Sequence, residues 1–263
     1  MSATQCADAC AVRDETLQVV TDMFKPANRE GQSLAAAVEL AEELAARHVE
    51  GARTLLDGFF QEANRLPAEM VPVSAGKFPY GEANEPVFVA DFSIDRFLVT
   101  NQEYERMVPG HKNLRSEYSE ADRQPVVNVN WFEAVLYARW RGCRLPTEQE
   151  WEKAAGWDAA NQHKRIYPWG DEFDAALCYT REKGLNKTTP VGQYPSGRSA
   201  YGCEEMAGNV WEWCESPFRD DQDWRVLRGG SFYNIQRLAA CAYRYFSDPQ
   251  NCDDVIGFRC ART

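Results

Sequence analysis

At Pro67 the chain changes character, and the stretch beyond it constrains the fold more than any single motif. Short apolar runs are broken at close intervals by glycine and proline, with aromatic residues dense between them. Val71 to Lys77, Val87 to Phe92 and Phe97 to Val99 alternate or run apolar over strand lengths, and Gly76, Gly81 and Pro86 separate them. Thr100 with Glu103, and Thr147 with Glu150, carry the N-cap and third-position pattern of a capping box, so a helix is predicted to start at each. Between them, Trp131 to Arg141 presents Ala134, Val135, Tyr137, Ala138 and Trp140 as a broad apolar helical face. Beyond Tyr167 the pattern is mostly loop, rich in Trp and Tyr. The expectation is an α+β domain of short antiparallel strands and a few helices, held by aromatic packing and turns.

Upstream the pattern is helical. Ser33 to Asn64 is rich in Ala, Glu and Leu, with apolar residues such as Leu34, Val38, Ala41, Leu44, Leu56 and Phe59 at helical spacing and Ser33 as N-cap. A shorter amphipathic stretch, Asp14 to Phe24, ends at Pro26. Residues 1–66 therefore read as a helical hairpin ahead of a domain over 67–263. The hairpin either packs on that domain or serves self-association or effector docking.

A net charge of -11 argues against nucleic acid as partner, because phosphate neutralisation needs clustered Lys and Arg. No apolar run reaches the roughly 18 residues of a membrane span, and Met1 to Ala11 lacks the basic start and apolar core of a secretory signal. No membrane partner and a cytoplasmic location are expected. The nine cysteines are an odd, scattered set rather than a disulfide framework. Cys6 and Cys10 have no second half of a zinc site, and His48, His111 and His163 stand alone.

The segments VSAGKF, FSIDRFLVTNQEY, PVVNVNWFEAVLYARW, RLPTEQEWEKAA, YPWGDE, GNVWEWCES, RGGSF and GFRC occur here in that order. In sequence and order they resemble the formylglycine-generating-enzyme, or sulfatase-modifying factor, superfamily, which implies a C-type lectin-like fold over residues 67–263. In that family's oxidases two cysteines shortly after the Gly-Gly-Ser motif bind copper and oxidise a substrate cysteine with O2. The matching positions here hold Asn234 and Ala239, while Cys241 matches a structural cysteine of the family. The related iron-dependent sulfoxide synthases need three histidines, supplied largely by an N-terminal helical domain, whereas residues 1–66 contain only His48. The resemblance thus implies a chain that is no enzyme and requires no cofactor. The alternative is a copper-dependent formylglycine-generating-type oxidase or a static pseudo-enzyme.

Between Arg228-Gly229-Gly230-Ser231 and Gly257-Phe258-Arg259 the pattern is neither strand nor helix. This middle resembles the variable region of proteins diversified by retroelements, in which Asn codons of a template are mutagenised at adenine. The residues reachable from AAC exclude Lys, Glu, Gln, Met and Trp. Between Phe232 and Ile256 there is no Lys, Glu, Met or Trp, and Gln236 and Gln250 are then fixed positions. The implied function is recognition of a ligand, a protein in preference to a small molecule, through a variable region over 233–255. The candidate contacts are Tyr233, Asn234, Ile235, Arg237, Leu238, Tyr243, Tyr245, Phe246, Ser247, Asn251, Asp253, Asp254 and Val255. Arg228, Arg244 and Arg259 read as loop anchors. Some family members hold calcium near the Gly-Asn-x-Trp-Glu-Trp motif, which makes Asn209 and Glu212 candidate structural calcium ligands; the competing account bonds Asn209 to a turn and Glu212 to an arginine.

Overall fold

Helices α1 (residues 15–23), α2 (Gly31–Ala46) and α3 (Ala52–Gln61) open the computed structural model, which describes residues 15–62, 69–184 and 186–263. Cys6, Cys10, Asp14, Asn64 and the boundary at Pro67 lie outside the described residues. The single helix expected from Ser33 is two. His48 (φ 57°) and Gly51 (φ 86°) turn the chain through left-handed backbone, and Glu30 rather than Ser33 precedes the first helical residue. Apolar periodicity runs across the break because both helices face the same core. Val20, Leu34, Val38, Ala41, Leu56 and Phe59 bury together with Tyr137, Trp140, Trp213 and Phe258.

The later helices are α4 (Asn101–Tyr104), α5 (Trp131–Trp140) and α6 (Glu148–Gly156). Each begins with a capping box: Thr100 with Glu103, Thr147 with Glu150, and also Asn130 with Glu133, a third pair beyond the two expected from sequence.

Strands β1 (Met70–Val73), β4 (Phe92–Asp95) and β11 (Ala261–Arg262) form a sheet in the order β1-β4-β11, which brings the chain's last residues beside its first strand pair. β2 (Gly76–Tyr80) and β3 (Glu85–Val89) make a hairpin, and β5 (Trp157–Asp158) pairs with β6 (His163–Lys164). Phe97 to Val99 is not a strand. Instead the Val99 N–H donates to Phe258 O, and the Val126 N–H to Val99 O, so this apolar run is a buried crossing segment.

The sheet that frames the candidate site is four-stranded, in the order β10-β7-β8-β9. Its strands are β7 (Trp211–Pro217), β8 (Arg225–Arg228), β9 (Arg244–Ser247) and β10 (Ile256–Gly257), with β10 parallel to β7 and the other pairs antiparallel. The segment expected to be wholly irregular therefore contains a 3-10 turn, Gln236–Ala239, and an edge strand. Register with β8 makes the strand, pairing Leu227 with Tyr245 and Val226 with Phe246.

Candidate functional site

Two fully buried arginines hold the ends of the C-terminal segment. Arg228, at the end of β8, donates from Nη1 to Cys241 O (3.0 Å) and Tyr243 O (2.8 Å), and its Nη2 pairs with Glu152 on α6. One side chain thus ties the return of the segment to its start. Arg259 meets the Glu212 carboxylate through Nε (2.6 Å) and Nη2 (2.8 Å) and also donates to the carbonyls of Asp95, Arg96 and Glu204. Arg244 grips Glu148 with two bonds of 2.8 and 2.7 Å. After Arg228 the backbone needs glycine. Gly230 has φ 72°, and a Cβ there would stand 3.0 Å from Leu238 O.

The calcium expectation for Asn209 and Glu212 does not fit these residues. Asn209 accepts from the Thr189 N–H (3.0 Å) and donates to Thr189 O (3.1 Å), so both ends of its amide serve a turn. Glu212 is taken by Arg259 and by the Trp151 indole N–H (2.8 Å), which leaves no free carboxylate face for a hard cation.

The positions matching the copper pair are also committed otherwise. Asn234 Oδ1 accepts from the Ser231 N–H (3.0 Å) and hydroxyl (2.7 Å), and Ala239 is buried against Gly230. Burial raises the thiols of Cys178, Cys203, Cys214, Cys241 and Cys260 above their usual value. His48 is exposed after α2, His111 is buried edge-on to Tyr104, and His163 pairs with Asp171 (2.9 Å). Among the described residues no three His, Cys, Asp or Glu side chains gather to hold a metal.

The candidate contact residues divide by exposure. Tyr233 (65 % exposed), Tyr245 (45 %), Ile235, Arg237 and Asn251 project outward. Phe246, Ser247, Asp253 and Asp254 are half-buried. Leu238, Tyr243 and Val255 pack against the core, Asn234 caps the turn after Ser231, and Asp253 accepts from the Val255 N–H (3.0 Å). These last five shape the segment more than they face outward.

A run of ring contacts links Arg237 and Tyr245, two of the outward residues, with the half-buried Phe246 beside them. The Arg237 guanidinium lies 5.8 Å from the Tyr243 ring, Tyr243 lies 6.2 Å from Trp211, and Tyr245 stacks on Trp211 at 5.4 Å. Phe246 stacks on Trp224 (4.5 Å, 6° between planes) and lies 4.4 Å from Phe218. Phe218 and Trp224 were missed from sequence. Their signal was two aromatics bracketing the polar turn Arg219 to Asp223, the loop joining β7 to β8.

Comparison with known proteins finds relatives in sequence and in fold. Hercynine oxygenase of Mycolicibacterium smegmatis is 32% identical over 236 residues, covering 75% of this chain and 55% of that protein. Hercynine oxygenase of Mycolicibacterium thermoresistibile is 39% identical over 159 residues, covering 52% and 36%. The chain thus spans little more than half the length of these curated relatives, or less. Treponema denticola variable protein 1 superposes with a TM-score of 0.60 at 20% identity, covering 73% of this chain and 94% of that one, a likeness of fold. The fold is the α+β, C-type lectin-like type. One expectation is overturned: the chain was read as no enzyme, yet relatives at 32% and 39% identity carry an enzyme's name, which points to enzymatic activity in the family. Residues 57–263 match the sulfatase-modifying factor enzyme 1-like domain, and the chain belongs to that family.

Proposed function

We propose that this chain recognises a protein ligand through its C-terminal surface, and that the outward positions of residues 233–255 are diversified by a retroelement. The observation that carries the reading is the separation of anchor from display. Arg228 and Arg259 hold the ends in the core, while Tyr233, Ile235, Arg237, Tyr245 and Asn251 project from a fixed backbone. Side chains at such positions change without opening a cavity, so one scaffold can carry many surfaces. Tyrosines supply large rigid contact area with a hydrogen-bonding end, and Ser247 and Asn251, 3.1 Å apart, supply adaptable polar contacts. The absence of Lys, Glu, Met and Trp between Phe232 and Ile256 supports the same reading.

Sequencing the DNA around the gene is the test. The expected result is a near-copy of the stretch coding for residues 233–256, differing only where the copy has adenine, beside a reverse transcriptase gene. A neighbourhood without that copy removes the diversified reading.

The hercynine oxygenase relatives favour a second reading, in which the chain takes part in an oxygen-dependent reaction. That reading requires metal ligands beyond the described residues. Oxygen uptake with hercynine and ferrous iron, compared with a metal-free control, supports it; identical rates argue for the binding function.

A further inference from the structure

β9 is the edge of its sheet, and among the described residues its backbone makes no hydrogen bond to main chain outside β8. An edge of this kind presents alternate N–H and C=O groups that an extended chain can pair with. At the Arg244 end of that edge lies a recess of about 430 Å³ between β9 and the turn joining β2 to β3. Tyr80, Tyr243, the buried Arg228 and the exposed Arg244 line it, with Glu82 and Glu85 on the turn.

The charge balance selects what enters. Beneath the recess Glu148 and Glu152 offset two of the three cations Arg228, Arg244 and Lys164. Glu82 and Glu85 are exposed and make no ion pair with any described residue, so they turn the local balance negative. A cation beside the Tyr80 ring and the two unpaired carboxylates gains from both.

We propose that an extended segment of the protein ligand pairs with the free edge of β9 and places a lysine or arginine side chain in this recess. The proposal rests on the protein-binding reading above and deepens it. Binding then depends on the scaffold turn Gly81 to Glu85 as well as on the C-terminal segment.

The experiment selects random linear peptides displayed on phage against the whole chain. Enriched peptides are expected to carry Lys or Arg, to bind the Glu82→Lys/Glu85→Lys double variant at least about tenfold more weakly, and to slow amide exchange at residues 244–247. Because both glutamates are exposed, the variant is expected to keep the wild-type circular dichroism spectrum; Glu82→Gln/Glu85→Gln, with a smaller loss, guards against charge-induced misfolding. No enrichment, peptides without basic residues, equal binding to both double variants and wild type, or unprotected amides at 244–247 each overturn the proposal. Peptides lost on Tyr233→Ala but indifferent to the glutamates overturn it while leaving the protein-binding reading in place. The retroelement reading is decided separately, by the gene neighbourhood.

Discussion

Arg259 and Glu212 are both fully buried, and each is the other's principal charge partner. Removing one leaves an uncompensated charge in the core, so Arg259→Ala is expected to destabilise the chain by about 3–5 kcal/mol. Tyr233→Ala, at a side chain that projects into solvent, is expected to change stability by less than about 0.5 kcal/mol. Urea unfolding of the two variants checks the contrast between anchor and display. Glu205 and His111 give the residue scale a pH signature. Burial pushes the Glu205 carboxyl up from 4.5 to about 7, against the Gly192 N–H that favours the anion. Through that window the folded state binds more protons than the unfolded one, so Glu205 makes stability fall as pH rises, by on the order of 3 kcal/mol in all. For His111, burial pushes the imidazole down from 6.5 to about 4, so its contribution is present above the unfolded value and is lost as pH falls through this window. The two slopes oppose each other, and single variants separate them. Glu205→Gln is expected to gain on wild type between about pH 5 and about pH 8; a difference that stays flat across that range would refute the assignment.

At the scale of elements, helix starts were legible and helix continuity was not. Thr100 with Glu103 and Thr147 with Glu150 announce their helices locally, because capping satisfies backbone N–H groups within one turn. The break between α2 and α3 left no such mark, since Val49 and Ala52 keep apolar spacing through it. Gly51 holds φ 86°, a conformation a β-carbon strains, and its nearest neighbour would be Leu17 Cδ2 at 3.5 Å. Gly51→Ala is therefore expected to cost about 1 kcal/mol through backbone strain rather than collision, measurable as a lower urea midpoint with an unchanged slope. β9 was illegible for a different reason. Arg244 to Ser247 has no alternation of its own, and becomes a strand because Arg228, Leu227, Val226 and Arg225 pair with it.

At the scale of the whole molecule, the N-terminal helices are part of the main core. Phe59 lies 6.5 Å from Trp140, Arg29 bridges the Phe24 carbonyl and the Glu62 carboxylate, and α2 and α3 both pack on α5. A chain lacking residues 1–62 uncovers Trp140 and its apolar neighbours, so it is expected to aggregate or bind a hydrophobic dye, while the full chain unfolds in one transition. Two separate transitions in the full chain would contradict a shared core. No described helix is long and apolar enough to cross a membrane.

By itself the sequence determined the local and the ordered: capping boxes, the loop-rich aromatic character after Pro67, and the succession of family motifs. Each is a property of adjacent residues or of their order, which is why it could be read. Only the tertiary structure decided which of the candidate contact residues face outward. It turned Tyr243 and Val255 toward the core and left Tyr233 and Tyr245 exposed, committed Asn209 and Glu212 to Thr189 and Arg259, and brought Phe218 and Trp224 against Phe246. Exposure and partnership arise from contacts between residues distant in the chain, and neither composition nor spacing encodes which of two neighbouring tyrosines the core will claim.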